Sequence, residues 1–223
     1  MKRVSFSHRA LEVAGIGLFA VAFVFLSSNA LRVGLNISGE VSIGFIALLF
    51  VLSVMAADFF SGFVHFLCDN FGSAETPFLG PNFIKAFLDH HDHPQDMVAH
   101  DFVELLGNSC LGSIPLLVGL YYLLPLDGST PSLYGNIFTL MLILVMVLTN
   151  QFHQWAHNPQ SPKFVKKLQR LNLILSPENH NRHHKPPYDK NYCMTSGWLN
   201  PFLNRIRFFD IVAKFLGKSS SKS

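Results

Sequence analysis

Imidazole binds metal when neutral and repels its neighbours when protonated, so where a chain gathers histidine is a chemical question. Of the eleven histidines in these 223 residues, ten fall in four short segments. His65 stands in "DFFSGFVHFLCD", and His90, His91, His93 and His100 in "LDHHDHPQDMVAHDFVE". His153 and His157 close "TNQFHQWAH", while His180, His183 and His184 fill "PENHNRHH". His153 and His157 are four residues apart, so on a helix both rings leave one face. His180, His183 and His184 are related by three and four positions, which stacks them the same way. Asp58 and His65 lie two turns apart on one stripe, with Asp69 a turn further. So many rings on one surface call for a metal that holds them neutral. A structural zinc takes about four ligands and a catalytic zinc about three, and haem takes one or two axial histidines. Eight or nine candidates fit two metal ions better. His8, near the start, reads as an ordinary interfacial residue.

The elements that must carry these residues are membrane helices. Apolar residues make up 49% of the chain, charged residues 14%, and there are 22 phenylalanines. That profile points to a membrane protein. The net charge of +3, with no basic cluster interleaved with aromatics, argues against nucleic acid as a partner. A bilayer core needs about 20 apolar residues per helix, and four stretches supply them: about 10–31, 41–68, 105–125 and 133–157. The basic, apolar N-terminus mimics a signal peptide, but its apolar run is too long and further spans follow, so it reads as a retained helix. Spans two and four are longer than one crossing needs and should project their last turns from the lipid.

Lys2, Arg3 and Arg9 precede span one, Lys85 lies between spans two and three, and twelve Lys/Arg follow span four, against Arg32 alone on the other side. The positive-inside rule then puts both termini, the 69–104 loop and the histidine segments in the cytoplasm, of a bacterial inner membrane or an endoplasmic reticulum. Residues 162–175 and 200–217 are basic and amphipathic, as interfacial helices are. Cys68, Cys110 and Cys193 show no metal or disulfide spacing and read as buried thiols. The fold class is therefore an all-α integral membrane protein, a single domain over 1–223, with short tails at 1–9 and about 218–223, the latter disordered.

Soluble di-iron proteins use glutamate with Glu-x-x-His on a bundle. Here histidine replaces most of the carboxylate, the pattern of membrane-bound non-haem di-iron desaturases and hydroxylases. The segments quoted above, with "PFLGPNFIKAFLDHH", "HDFVE" and "HNRHHKPPYDKNYCMTSGWLN", resemble the lipid desaturase domain (Kua-type) family in order and spacing. That family holds the plasmanylethanolamine desaturases and a plant chloroplast phosphatidylglycerol desaturase. The resemblance runs from about Asp58 to about Phe209, and "AHDFVELLGN" favours the ether-lipid branch.

The resemblance implies an O2-dependent oxidoreductase holding two Fe ions, which converts an alkyl-ether phospholipid of the membrane into a vinyl-ether plasmalogen. It implies an electron donor such as cytochrome b5 or a ferredoxin. His65, His90, His91, His100, His153, His157, His180, His183 and His184 match its ligand positions, with His93 as the spare. Asp58, Asp101 and Glu104 match acidic positions expected to orient the rings. An acyl-chain desaturase or a hydroxylase with the same metal pair is the alternative. A metal transporter is a remoter one, because spans one and three carry almost no ionisable groups. Trp155, Trp198, Lys185, Tyr188 and Lys190 read as surface or packing residues, and Asn150 and Gln151 as candidate partners of the ligands. Ser61 and Gly62 are the small residues expected to line an apolar slot for the lipid chain.

Overall fold

A computed structural model describes residues 6–77 and 79–217. Of the expected tails, 1–5 and 218–223 lie outside the described residues, while 6–9 belong to the first helix rather than to a tail. Among those described there is no strand. Four helices are long and apolar enough to cross a membrane: α1 (Phe6–Asn36), α2 (Ile43–Phe71), α4 (Phe102–Leu123) and α5 (Thr130–His157). Shorter helices follow α2 and α5: α3 (Lys85–Asp92), α6 (Lys163–Arg170), α7 (Pro177–His183), α8 (Asn200–Arg205) and α9 (Phe208–Phe215). The four long helices match the four expected spans, each starting or ending a few residues away. α4 begins at Phe102 because Asp101 caps it, its carboxylate accepting the Glu104 N–H at 2.9 Å.

The residues pack as two compact units, and α2 and α5 contribute to both. The first comprises residues up to 57 and 100–151. Its core is aliphatic and aromatic: Phe19, Leu26, Leu106, Leu117, Leu120, Leu133, Leu140 and Ile143. Around it, residues such as Leu18, Val21, Leu35 and Leu116 stay exposed, as lipid-facing positions do. α1 lies against α4 where Gly107 meets Glu12; a Cβ on Gly107 would stand 2.5 Å from the Glu12 Cβ. Glu12 is fully buried, and its carboxylate faces His8 at 3.1 Å and Arg9 at 3.2 Å. Arg9 in turn donates both terminal nitrogens to Asp101, at 2.8 and 2.6 Å.

The second unit comprises 58–99 and residues from 152 onward. Phe66, Tyr192, Cys193, Leu203 and Phe209 form one core cluster, and Ala156, Leu175 and Met194 another. All three cysteines are free and buried. The two amphipathic stretches form shorter helices than expected. Residues 162–175 hold only α6, and 200–217 divide into α8 and α9 at Arg207, whose φ of 53° interrupts the helix.

Candidate metal centre

Four helix ends of the second unit carry the ring set. His65 and Asp69 occupy the last turns of α2, His90 and His91 the last turn of α3, and His153 and His157 the end of α5. His180 and His183 lie on α7, with His184 as its C-cap. α7 starts where it does because Ser176 caps it, accepting the Asn179 N–H at 3.2 Å, and Pro177 fits the first helical position.

These side chains form two groups. His90, His153, His157, His180 and His184 make one, and His65, Asp69, His91 and His183 the other. Within each, one ligand atom per residue lies within 4.8 Å of all the others. The groups adjoin: the rings of His90 and His91 are 4.5 Å apart, and those of His65 and His90 5.3 Å.

The arrangement could hold a cation. In the first group the Nε2 atoms of His153, His157 and His180 form a triangle with edges of 2.8, 2.8 and 3.2 Å, and His184 Nε2 stands 3.0 Å from His180 Nε2. A neutral ring nitrogen has either one in-plane proton or one in-plane lone pair. Three of them in a closed triangle therefore cannot pair along every edge. One cation accepts all the lone pairs at once, and nitrogens about 2.0–2.1 Å from an ion stand about 3 Å apart. His65 Nε2, His90 Nε2 and Asp69 Oδ1 are buried without a hydrogen-bond partner. Groups left so are costly unless something absent from the protein satisfies them.

The second group differs in carrying a carboxylate. Asp69 Oδ2 lies 3.0 Å from His91 Nε2, 3.3 Å from His65 Nε2 and 3.4 Å from His183 Nε2. Backbone carbonyls set the tautomers. Nδ1 of His65 faces Tyr192 O at 3.2 Å, Nδ1 of His90 faces Phe87 O at 2.6 Å, and Nδ1 of His183 faces Lys190 O at 2.8 Å. A carbonyl only accepts, so each Nδ1 holds the proton and each Nε2 presents its lone pair inward. Burial first, and then the neighbouring His91, push His90 down to about 3. Burial and then His90 push His184 down to about 2, and burial lowers His180 as well. These three rings are thus neutral at ordinary pH, the form a metal takes. The residues present fit two metal ions with mainly nitrogen donors.

Not every expected site residue lies here. His100 is in neither group; it is half exposed in the first unit, its Nδ1 2.7 Å from Glu104 Oε1. Glu104 therefore partners the one expected ligand that lies outside both groups. Asp101 serves Arg9 and the α4 cap, and its pKa falls to about 2 through the Arg9 hydrogen bond. Asp58 is fully buried and touches backbone rather than a ring. Its Oδ1 accepts from the N–H groups of Thr195, Ser196 and Gly197 at 3.1, 2.9 and 2.8 Å, and Oδ2 from Leu199 at 3.1 Å. His93 is exposed and in neither group. Ser61 and Gly62 do not line an open slot. Ser61 Oγ accepts from Met194 N at 3.2 Å, and a Cβ on Gly62 would stand 2.8 Å from Cys193 Sγ. Residues 192–195 cover that face of α2. Asn150 donates to Ser109 in the first unit, at 3.0 Å, and Gln151 is buried there. Trp198 Nε1 donates to Asn172 O, and the Trp155 ring packs edge-on to Phe164.

Asp69 is the residue left out of the expected site. Its signal was present, a carboxylate one turn beyond His65 on the same face, where an aspartate ending a helix reads equally as a solvated cap.

Comparison with known proteins agrees with this geometry. The lipid desaturase domain matches residues 54–221. A plasmanylethanolamine desaturase of Myxococcus xanthus is 42% identical over 166 residues, 74% of this chain and 58% of the relative. Plasmanylethanolamine desaturase 1 of Mus musculus is 35% identical over 163 residues, 71% of this chain and 60% of the relative. The chloroplastic fatty acid desaturase 4 of Arabidopsis thaliana is 34% identical over 158 residues, 69% of this chain and 46% of the relative. The chain thus spans about six tenths or less of these relatives' lengths. No solved structure matches it.

Proposed function

This chain belongs to the lipid desaturase domain family, and from that premise we propose that it desaturates a membrane phospholipid, forming the vinyl-ether bond of a plasmalogen from an alkyl-ether lipid. The observation that carries the reading is the pair of adjoining imidazole groups, in a chain 42% and 35% identical to two plasmanylethanolamine desaturases. The acyl-chain alternative has support from the 34% identity to a chloroplastic fatty acid desaturase.

His90, His153, His157, His180 and His184 would hold one iron, and His65, Asp69, His91 and His183 the other. Iron, when bound, supplies the activation of O2 and the removal of hydrogen from an unactivated C–H bond, which no side chain performs unaided. The chain's own part is positioning and exclusion. The carbonyls of Phe87, Lys190 and Tyr192 keep the proton on Nδ1 and orient three rings. Asp58 folds residues 195–199 onto α2, which carries His65. The burial of His65, His180 and His183, each 1% exposed or less, keeps water from the reacting atoms. The reaction takes one O2, two external electrons and two protons, and releases two waters as the substrate loses two hydrogens. The positive-inside bias supports a cytoplasmic position for the centre. The exposed Phe164, Leu171, Phe202 and Phe215, set among lysines and arginines, support an interfacial position for α6, α8 and α9.

The test is expression in a host that contains alkyl-ether phospholipid. Acid hydrolysis of its lipids should release the long-chain aldehydes that mark vinyl ethers. Their absence, with a new double bond in an ester-linked chain, would transfer the assignment to the acyl reading. Elemental analysis should give about two irons per chain.

A further inference from the structure

On the desaturase reading, on which this inference rests, each double bond draws two electrons from outside, and they must reach the buried ring groups from the surface. We infer that Arg182 and the exposed residues 185–190 form the docking surface of an acidic one-electron carrier protein, which delivers electrons beside His91.

Access comes first. A cleft of about 210 Å³ is lined by Asp69, Asn70, Leu88, His91, Pro187 and Tyr188. Two of these belong to the carboxylate-bearing group, so here that group meets the surface. The other two members, His65 and His183, have no exposed surface.

Coupling comes second. Tyr188 is 37% exposed and its ring packs edge-on to His91, centroids 5.0 Å apart. Its carbonyl accepts the Tyr192 hydroxyl at 2.8 Å, and the Tyr192 ring lies 5.0 Å from His183 and 5.8 Å from His65. A carrier seated over Tyr188 would stand one aromatic ring away from a candidate ligand. Tyr188 and Asn191 both hold a φ of 59°, in the left-handed region that costs an ordinary residue free energy. The segment is also tied to the centre, since Lys190 O faces His183 Nδ1.

Charge comes third. Arg182, Lys185 and Lys190 are exposed, and Asp189 is the one carboxylate between positions 182 and 190. From 152 to 217 the chain carries ten Lys/Arg against three Asp/Glu. Such a surface steers a partner of opposite sign. Unlike α6, where Phe164 is exposed beside the lysines and Leu171 at its C-cap, this segment exposes only Pro186, Pro187 and part of the Tyr188 ring as apolar surface, with no long aliphatic side chain for a bilayer to take up. A protein partner therefore suits it better than lipid.

The test uses the iron-loaded chain in phosphatidylcholine nanodiscs, with soluble cytochrome b5 and a plant-type ferredoxin as probes. Arg182→Glu with Lys185→Glu should keep about two irons per chain, which reports an intact centre. It should weaken carrier binding about tenfold or more at low ionic strength, a difference that shrinks as salt is added. Reversing Lys166 and Lys167 on α6 should change affinity by no more than about twofold. Unchanged affinity in the first variant, an equal loss in the α6 control, or failure of the unaltered chain to bind either carrier would each overturn the inference. So would a first variant that changes only the dependence on anionic lipid, which would give the segment to headgroups. Dithionite-driven desaturation should be the same in the variant and the unaltered chain. If neither forms product with dithionite, the desaturase reading fails, while the binding measurement still decides the docking surface.

Discussion

At the scale of single residues, the centre depends on protons being kept off particular nitrogens. An unfolded histidine titrates near 6.5, whereas His90 is held down to about 3 and His184 to about 2. Between those values and about 6.5 the unfolded chain binds more protons than the folded one, so stability rises with pH across that window. The stabilisation is fully present above about pH 6.5 and is lost on acidification, at of order 1 kcal/mol per pH unit from His90 alone. The unfolding midpoint of metal-free protein in detergent should therefore fall steadily from pH 7 to pH 5. A flat profile would mean the rings take up protons in the fold as readily as in the unfolded chain. Metal content separates ligands from neighbours. His153→Ala should lose at least one iron per chain and all activity, because it opens the nitrogen triangle of one group. His100→Gln should keep about two irons, since that ring faces Glu104 instead. His8→Ala should keep them too, with a small loss of stability from the Glu12 contact. A loss of iron in His100→Gln comparable to that in His153→Ala would make His100 a ligand.

At the scale of elements, the centre depends on how residues 192–199 lie on α2. Asp58 accepts four backbone N–H groups with its two oxygens. Removing a buried acceptor of this kind strands its donors, so Asp58→Ala should destabilise the protein by about 3 kcal/mol, read as a fall in the thermal midpoint. Gly62→Ala acts on the same contact, placing a methyl 2.8 Å from Cys193 Sγ, and should cost about 1–3 kcal/mol. These contacts also mark what the sequence left hidden. The helical pairs were legible because their period is local: His153 with His157 and His180 with His184 need only a helix. The four spans were legible from length and apolar content. Asp58 could be assigned to the site but not to its partners, which lie 137 to 141 positions away. Asp101 and Glu104 looked like supports for a ring of the centre. The approach of α1, a matter of tertiary packing, turns Asp101 to Arg9, while Glu104 meets His100 four positions away, a ring outside both groups.

At the scale of the whole molecule, the supply of electrons depends on which face of the membrane the rings occupy. Four crossings would put the 72–101 connection and the chain after α5 on one side, and the connections at 37–42 and 124–129 on the other. The basic residues are unevenly divided between those sides, with Arg32 alone near the second. Positive charge near span ends resists translocation, so the ring-bearing side should be cytoplasmic. There it can meet reducing equivalents that the opposite face does not supply. Single cysteines at two exposed positions, Ser38→Cys and Glu75→Cys, test this directly. Native Cys68, Cys110 and Cys193 are buried and give little background. A membrane-impermeant maleimide applied to intact cells should label Ser38→Cys and spare Glu75→Cys, which should react only after permeabilisation. The reverse pattern would put the metal centre on the outer face. A cytosolic carrier proposed to dock at Arg182 and residues 185–190 could not then reach it, and that surface would need a partner from the other compartment.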